Sequence, residues 1–175
     1  MKFALLGQYP GLQSTSERRT RLFRRTVLWT LMLFLLPTGP VWADSHVTSE
    51  NGVVVVTLTQ TPCLFVEAEA NPQTYRSNKA AECIAINKHT AGQRQFMPLH
   101  LRAGKVIFRV ANNNVPYELG FWVRGQGLGR VTLPSVSGGG LMPGQTKEYA
   151  ITLKKGAYWY SCPLNPTPNY PLIVE

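Results

Sequence analysis

Cys162 opens a loop that contains Pro163, Pro166, Pro168 and Pro171, between an aromatic run, Ala157 to Ser161, and a short apolar run, Leu172 to Val174. Prolines at that density exclude helix and sheet interior, so the loop is stiff and presents fixed side chains. A cysteine in such a place serves as a metal ligand, a reactive thiol or a packed sulfur. The chain has three cysteines, Cys63, Cys83 and Cys162. Cys63 and Cys83 flank one local excursion and are the expected disulfide, which leaves Cys162 as the odd thiol. Pairing of Cys162 with either of the others stays open from sequence.

Other residues with chemistry do not cluster. His46 lies near the expected mature start, His89 follows Lys88 in a loop, and His100 sits on the polar alternation between Leu99 and Leu101. Ser135 and Ser137 stand beside glycines without a placed His and Asp, so no nucleophilic triad is read. Gly138 to Gly140 is not followed by Lys-Ser or a helix, which argues against a phosphate-cradling loop. Cys162 has neither a second cysteine nor a cation close in sequence to lower its pKa. The expectation is a protein that is not an enzyme.

Residues 1–43 read as an export signal, and residues 44–175 as a single domain. Arg18, Arg19, Arg21, Arg24 and Arg25 form a basic region, Thr26 to Leu36 is nearly all apolar, and Val41, Trp42 and Ala43 fit a small-residue cleavage site. Arg24 and Arg25 followed by Val27 and Leu28 resemble a twin-arginine signal, so the export route stays open. The alternative is an uncleaved anchor, although Pro37, Gly39 and Pro40 break a stretch already short of the roughly 20 apolar residues that span a bilayer. Membrane association is expected only if the segment is retained. Export implies a periplasmic, oxidising location, which favours the disulfide. Of 18 Lys and Arg, six lie before Asp44, and of nine Asp and Glu only Glu17 does, so the remainder is near +4. Its basic residues are scattered, which excludes a nucleic-acid stripe.

Short strands then follow at even spacing. Gly52 to Thr59 is rich in Val and Thr, Leu64 to Ala68 continues past Pro62, and Met97 to Leu101 is a short strand. Lys105 to Ala111 and Val115 to Val123 alternate with period two about an Asn112-Asn113-Asn114 turn. Val131 to Leu133, Gln145 to Leu153 and the aromatic run complete the set, with Gly138 to Gly140 and Pro143-Gly144 as connections. One helix is expected, capped at Ser77, with Ala80, Cys83, Ile84 and Asn87 on a narrow face. The pattern predicts an all-β sandwich or barrel with one short helical excursion.

From about Gly104 onward the chain resembles the cupredoxins, small Greek-key β-sandwiches that hold a type 1 copper. The resemblance rests on Asn112 to Pro116 followed by Tyr117, on Pro143-Gly144 before a strand, and on Gly156, Tyr158, Tyr160 and Cys162 in G-x-Y-x-Y-x-C. It implies that the first histidine ligand falls on Tyr117, the cysteine on Cys162, the second histidine on Asn165 and the axial methionine on Tyr170. Three of the four ligand types are thus replaced, and neither phenol nor amide substitutes for a neutral imidazole toward Cu(I). The expectation is therefore an exported, periplasmic cupredoxin-like protein with no type 1 copper and no other cofactor, serving as a binding or accessory protein for a periplasmic protein partner. Its contact groups are expected at the former copper end, on Tyr117, Met142, Leu164, Asn165 and Tyr170, with Trp122 and Trp159 as aromatic anchors or, for Trp159, core. The alternative is copper binding or electron transfer through Cys162, Met142 and His100.

Overall fold

Val47–Glu50 (β1) folds back on Val53–Thr61 (β2) through a turn in which Asn51 and Gly52 both take positive φ. The structure is a computed structural model and describes residues 46–175. The expected export segment lies outside those residues. His46 is tied in as well: its carbonyl accepts the Thr57 N–H at 2.8 Å, just ahead of the edge strand β1.

Two mixed sheets face each other. The first runs β1, β2, β5 (Gly104–Asn112) and β8 (Thr146–Leu153), with the short β3 (Leu64–Phe65) also paired to β2. The second runs β4 (Leu99–Leu101), β10 (Tyr170–Val174), β9 (Gly156–Ser161), β6 (Leu119–Gly125) and β7 (Val136–Leu141). The chain changes sheet between β3 and β4, β4 and β5, β5 and β6, β7 and β8, and β8 and β9, which makes the Greek-key sandwich. Period-two alternation decides the inner faces. Val56 and Leu58, Val106, Phe108 and Val110, Leu119, Phe121 and Val123, Tyr158 and Tyr160, and Leu172 and Val174 all point inward and are buried. Removing a side chain of that size from water stabilises by about 1.5–3 kcal/mol each.

Four local expectations are corrected. Val131 to Leu133 is not a strand: Gly127 at φ +51° starts a turn that leads into the short helix α2, Gly129–Thr132. Gly138 to Gly140 lie inside β7, where a Cβ on Gly138 would stand 3.0 Å from the Tyr149 ring, so the missing side chain admits that ring. Pro171 lies within β10, opposite Trp159, at a point where β4 has not yet begun to pair. Its missing N–H is therefore not required on the open side. The main helix α1 spans Ala80–Thr90, and Ser77 does not cap it; the Ser77 hydroxyl donates to the Lys79 carbonyl while Glu82 accepts the Asn78 N–H. Ile84 is exposed and Cys83 is buried, so α1 is held by the Cys63–Cys83 disulfide and by polar contacts.

Those polar contacts centre on a buried ion pair. Arg94 and Glu69 have side chains only 2% exposed, and Arg94 also donates to Asn87 of α1 and to the Cys63 carbonyl. No described helix is long and apolar enough to cross a membrane.

Candidate functional site

Cys162 follows Tyr158 and Tyr160 in the period-two phase of β9, so its sulfur enters the core and is fully buried. Two backbone N–H groups donate to it, Gly120 at 3.4 Å and Asn165 at 3.2 Å. Gly120 can approach only as glycine, because a Cβ there would lie 2.7 Å from the Gly138 carbonyl oxygen. Thr167 closes the loop, its hydroxyl accepting the Cys162 N–H at 2.9 Å and its N–H donating to the Cys162 carbonyl at 3.1 Å. Burial pushes the Cys162 thiol above its ordinary value, opposed in part by the Gly120, Asn165 and Leu164 N–H groups and the Gln60 amide. A neutral, enclosed thiol is a poor nucleophile at neutral pH.

Asn165 is the hub of the loop. Its side-chain oxygen accepts the Cys63 N–H at 3.0 Å and the Tyr117 hydroxyl at 3.3 Å, and touches Cys83 Sγ at 3.4 Å. Its amide nitrogen donates to the Thr61 carbonyl at 2.8 Å. Tyr117 reaches the same point from the segment before β6, its hydroxyl also 3.3 Å from Ser77 Oγ and 3.8 Å from Cys83 Sγ. The sulfurs of Cys63 and Cys83 are bonded, as expected. Tyr117 and Asn165 thus meet at the disulfide, which sequence placed in a separate excursion, and Asn165 alone links it to Cys162.

The other expected site residues do not join them. Tyr170 is buried, and its hydroxyl donates to Glu69 at 2.6 Å and accepts from Arg94 at 3.2 Å. Its ring packs edge-on against Phe65 and Phe96. Met142 is 47% exposed in the turn between β7 and β8, outside the core that encloses Cys162. His100 is exposed on β4 opposite Ile173, whose partner on β9 is Ala157. At about 3.4 Å per residue that places it roughly 17 Å along the strands from Cys162. Strand register thus removes His100 from a metal set with Cys162 and Met142. His89 is exposed in the last turn of α1 rather than in a loop.

Asn165 and Tyr170 are too enclosed to face a partner, and their places in the loop are structural. Leu164 is 42% exposed and borders a shallow depression of about 420 Å³ with Gly120, Trp122, Gly139 and Pro163. Trp122 is half-buried, with the Arg124 guanidinium 4.0 Å over its ring. Trp159 is half-buried on the outer face beside Arg124, so it is not core. Gln60 was not anticipated: its amide donates to the Gly120 carbonyl at 2.9 Å, while its side-chain oxygen is buried without a partner. A polar residue at an inward position of an otherwise apolar strand was its only sequence signal.

The donor set does not fit a type 1 copper. At the positions the resemblance gives to ligands stand the Asn165 amide and the Tyr117 phenol, each already hydrogen-bonded within the protein, and neither replaces an imidazole. Among the described residues no three His, Cys, Asp or Glu side chains converge as a metal site.

The class defined by two Greek-key sheets, with a cysteine at the end of the penultimate strand and a tight loop into the last, is the cupredoxin-like sandwich. No model of a known protein family matches the chain, and no curated protein does. Among solved structures it is similar to auracyanin B, at 14% identity over 76% of this chain and 96% of that one, with a TM-score of 0.43. It is similar also to auracyanin A, a "blue" copper protein from Chloroflexus aurantiacus, at 14% identity over 71% and 100% of the two chains, with a TM-score of 0.41. A third likeness is to copper nitrite reductase from Nitrosomonas europaea, at 20% identity over 70% of this chain and 41% of that one, with a TM-score of 0.40.

Proposed function

We propose that this is an exported, non-enzymatic binding or accessory protein of the periplasm, whose cupredoxin-like frame presents a protein-docking end in place of a type 1 copper. The observation that supports this most is the use made of Asn165. The residue at the second imidazole position spends both side-chain atoms on Thr61, Cys63 and Tyr117, so the loop is braced by amide hydrogen bonds where the resemblance implies a metal. A loop held that way keeps its outer residues fixed, and Leu164 stands exposed at the rim of the Trp122 depression. Fixed apolar and aromatic groups on a stiff surface favour docking because little side-chain entropy is lost on contact.

The test is site-specific crosslinking in the producing cell. A photo-reactive residue replacing Leu164 should give a discrete protein adduct that Trp122→Asp removes, while one replacing Ser49, exposed on the edge strand of the other sheet, should give none. Identical adduct patterns from both positions, or none from Leu164, would contradict the docking role.

A further inference from the structure

We infer that the end of the sandwich opposite Cys162 is a contact site for anionic lipid surfaces, with Leu128 and Val131 as its inserting residues. These two are the most exposed of the large hydrophobic residues among those described, at 87% and 86%. They lie one turn apart, the Val131 N–H donating to the Leu128 carbonyl at 3.2 Å, so their side chains share a face. Exposure that high means that no neighbouring side chain walls them in. Yet the loop is braced from within. Gln126 donates its backbone N–H to Ala157 at 2.9 Å and its side-chain amide to Tyr158 at 2.7 Å. Leu133 is tucked over Gly156, where a Cβ would come within 2.8 Å of it. The segment therefore holds one apolar residue inward and two outward in a fixed turn.

Cations surround that tip. Arg130 lies between the two aliphatic residues in sequence, and Lys155 immediately precedes the Gly156 that Leu133 covers. Lys154 is fixed beside it, its backbone N–H and carbonyl both bonded to the Tyr158 hydroxyl, at 3.1 and 2.8 Å. Arg102 and Lys105 stand on either side of Gly104, which pairs with Leu153 just before the lysine turn. All five are exposed, and none is in an ion pair among the described residues. Of the acidic residues near this end, Glu50 is engaged by Arg109 at 3.0 Å, which leaves Glu175. Protruding aliphatic side chains with no pocket around them suit a deformable apolar medium, and a ring of unpaired cations suits the anionic headgroups above it.

The test uses the full chain with an environment-sensitive fluorophore on Thr132→Cys, an exposed position beside the tip; Cys162 is buried and escapes labelling. A shift caused by attachment through residues 1–45 would survive the paired aspartate substitution below. Vesicles containing phosphatidylglycerol should shift its emission to the blue, and pure phosphatidylcholine vesicles should not. Lys154→Gln and Lys155→Gln should each weaken the partition by about fivefold, and Leu128→Asp with Val131→Asp should abolish the shift. Unchanged emission on anionic vesicles, an equal shift on both lipids, or a shift that survives the paired aspartates would overturn the inference.

Discussion

The side-chain oxygen of Asn165 accepts the backbone N–H of Cys63 at 3.0 Å, joining the last loop of the chain to a turn 102 residues earlier. Cys63 needs that support, because it holds φ at +69°, a left-handed backbone that costs a non-glycine residue about 1 kcal/mol or more. Asn165→Ala would remove the acceptor of the Cys63 N–H and a donor to the Thr61 carbonyl. Unsatisfied buried groups cost about 1–3 kcal/mol each. Urea denaturation should show a loss of about 2–4 kcal/mol, and a loss within experimental error would show that the amide is not the brace.

The buried pair of Glu69 and Arg94 should be more sensitive still. Removing one partner of an enclosed ion pair strands the other, so Arg94→Met should destabilise by about 3–5 kcal/mol. Tyr170→Phe keeps the ring and deletes only the hydroxyl on Glu69, for about 1–3 kcal/mol. A neutral Tyr170→Phe in thermal or urea unfolding would refute the assignment of that hydroxyl to the network.

These two clusters mark where sequence reading stopped. Period-two alternation made β5, β6 and β9 legible, since Val106, Phe108, Val110, Phe121 and Tyr160 each repeat every second residue toward a shared core. The resemblance places Tyr117, Cys162 and Asn165 at one end, and in the structure Asn165 stands between the other two, 3.3 Å from the Tyr117 hydroxyl and 3.2 Å from the Cys162 sulfur. The resemblance carries the axial position onto Tyr170, but β10 begins at that residue and its pairing with Tyr160 aims the hydroxyl at Glu69 instead. β1 was missed because a four-residue edge strand shows too little alternation. α2 was missed because three apolar-leaning residues fit a strand as well as a helical turn, and only the Gly127 conformation decides.

Alkaline pH should weaken the fold. Burial raises the Cys162 thiol and the Tyr158 and Tyr170 hydroxyls, and pushes Tyr149 up to about 12. Each is held neutral in the folded chain, so the unfolded chain loses its proton first. Their contribution is complete below the unfolded thiol value of about 8.5 and declines as pH rises past it, then through the ordinary tyrosine range near 10. Urea midpoints at pH 7, 9 and 10.5 should fall in that order, and Cys162→Ala should flatten the first part of the fall. A midpoint that rises across this range would be inconsistent with neutral burial.

Reduction of Cys63–Cys83 should release α1 ahead of the sandwich. The bridge closes a loop across a sequence separation of 20, worth about 3 kcal/mol in the chain-entropy description. The helix has no continuous buried apolar stripe to replace it, Cys83 being its one fully buried side chain. Hydrogen exchange with and without reductant should show protection lost over Ala80–Thr90 while β5 and β6 remain protected. Uniform loss across all elements would show that the helix and sandwich unfold as one unit.

The most direct test of the central claim, that amide bracing by Asn165 has taken the place of copper ligation around Cys162, is a titration with Cu(II) and with Cu(I). It is followed by visible absorption and by the copper retained after desalting, for the wild-type chain beside Cys162→Ala. The two chains should behave alike, with no intense thiolate-to-copper band and no Cys162-dependent stoichiometry. A strong charge-transfer band, or one equivalent of tightly held copper lost in Cys162→Ala, would contradict it.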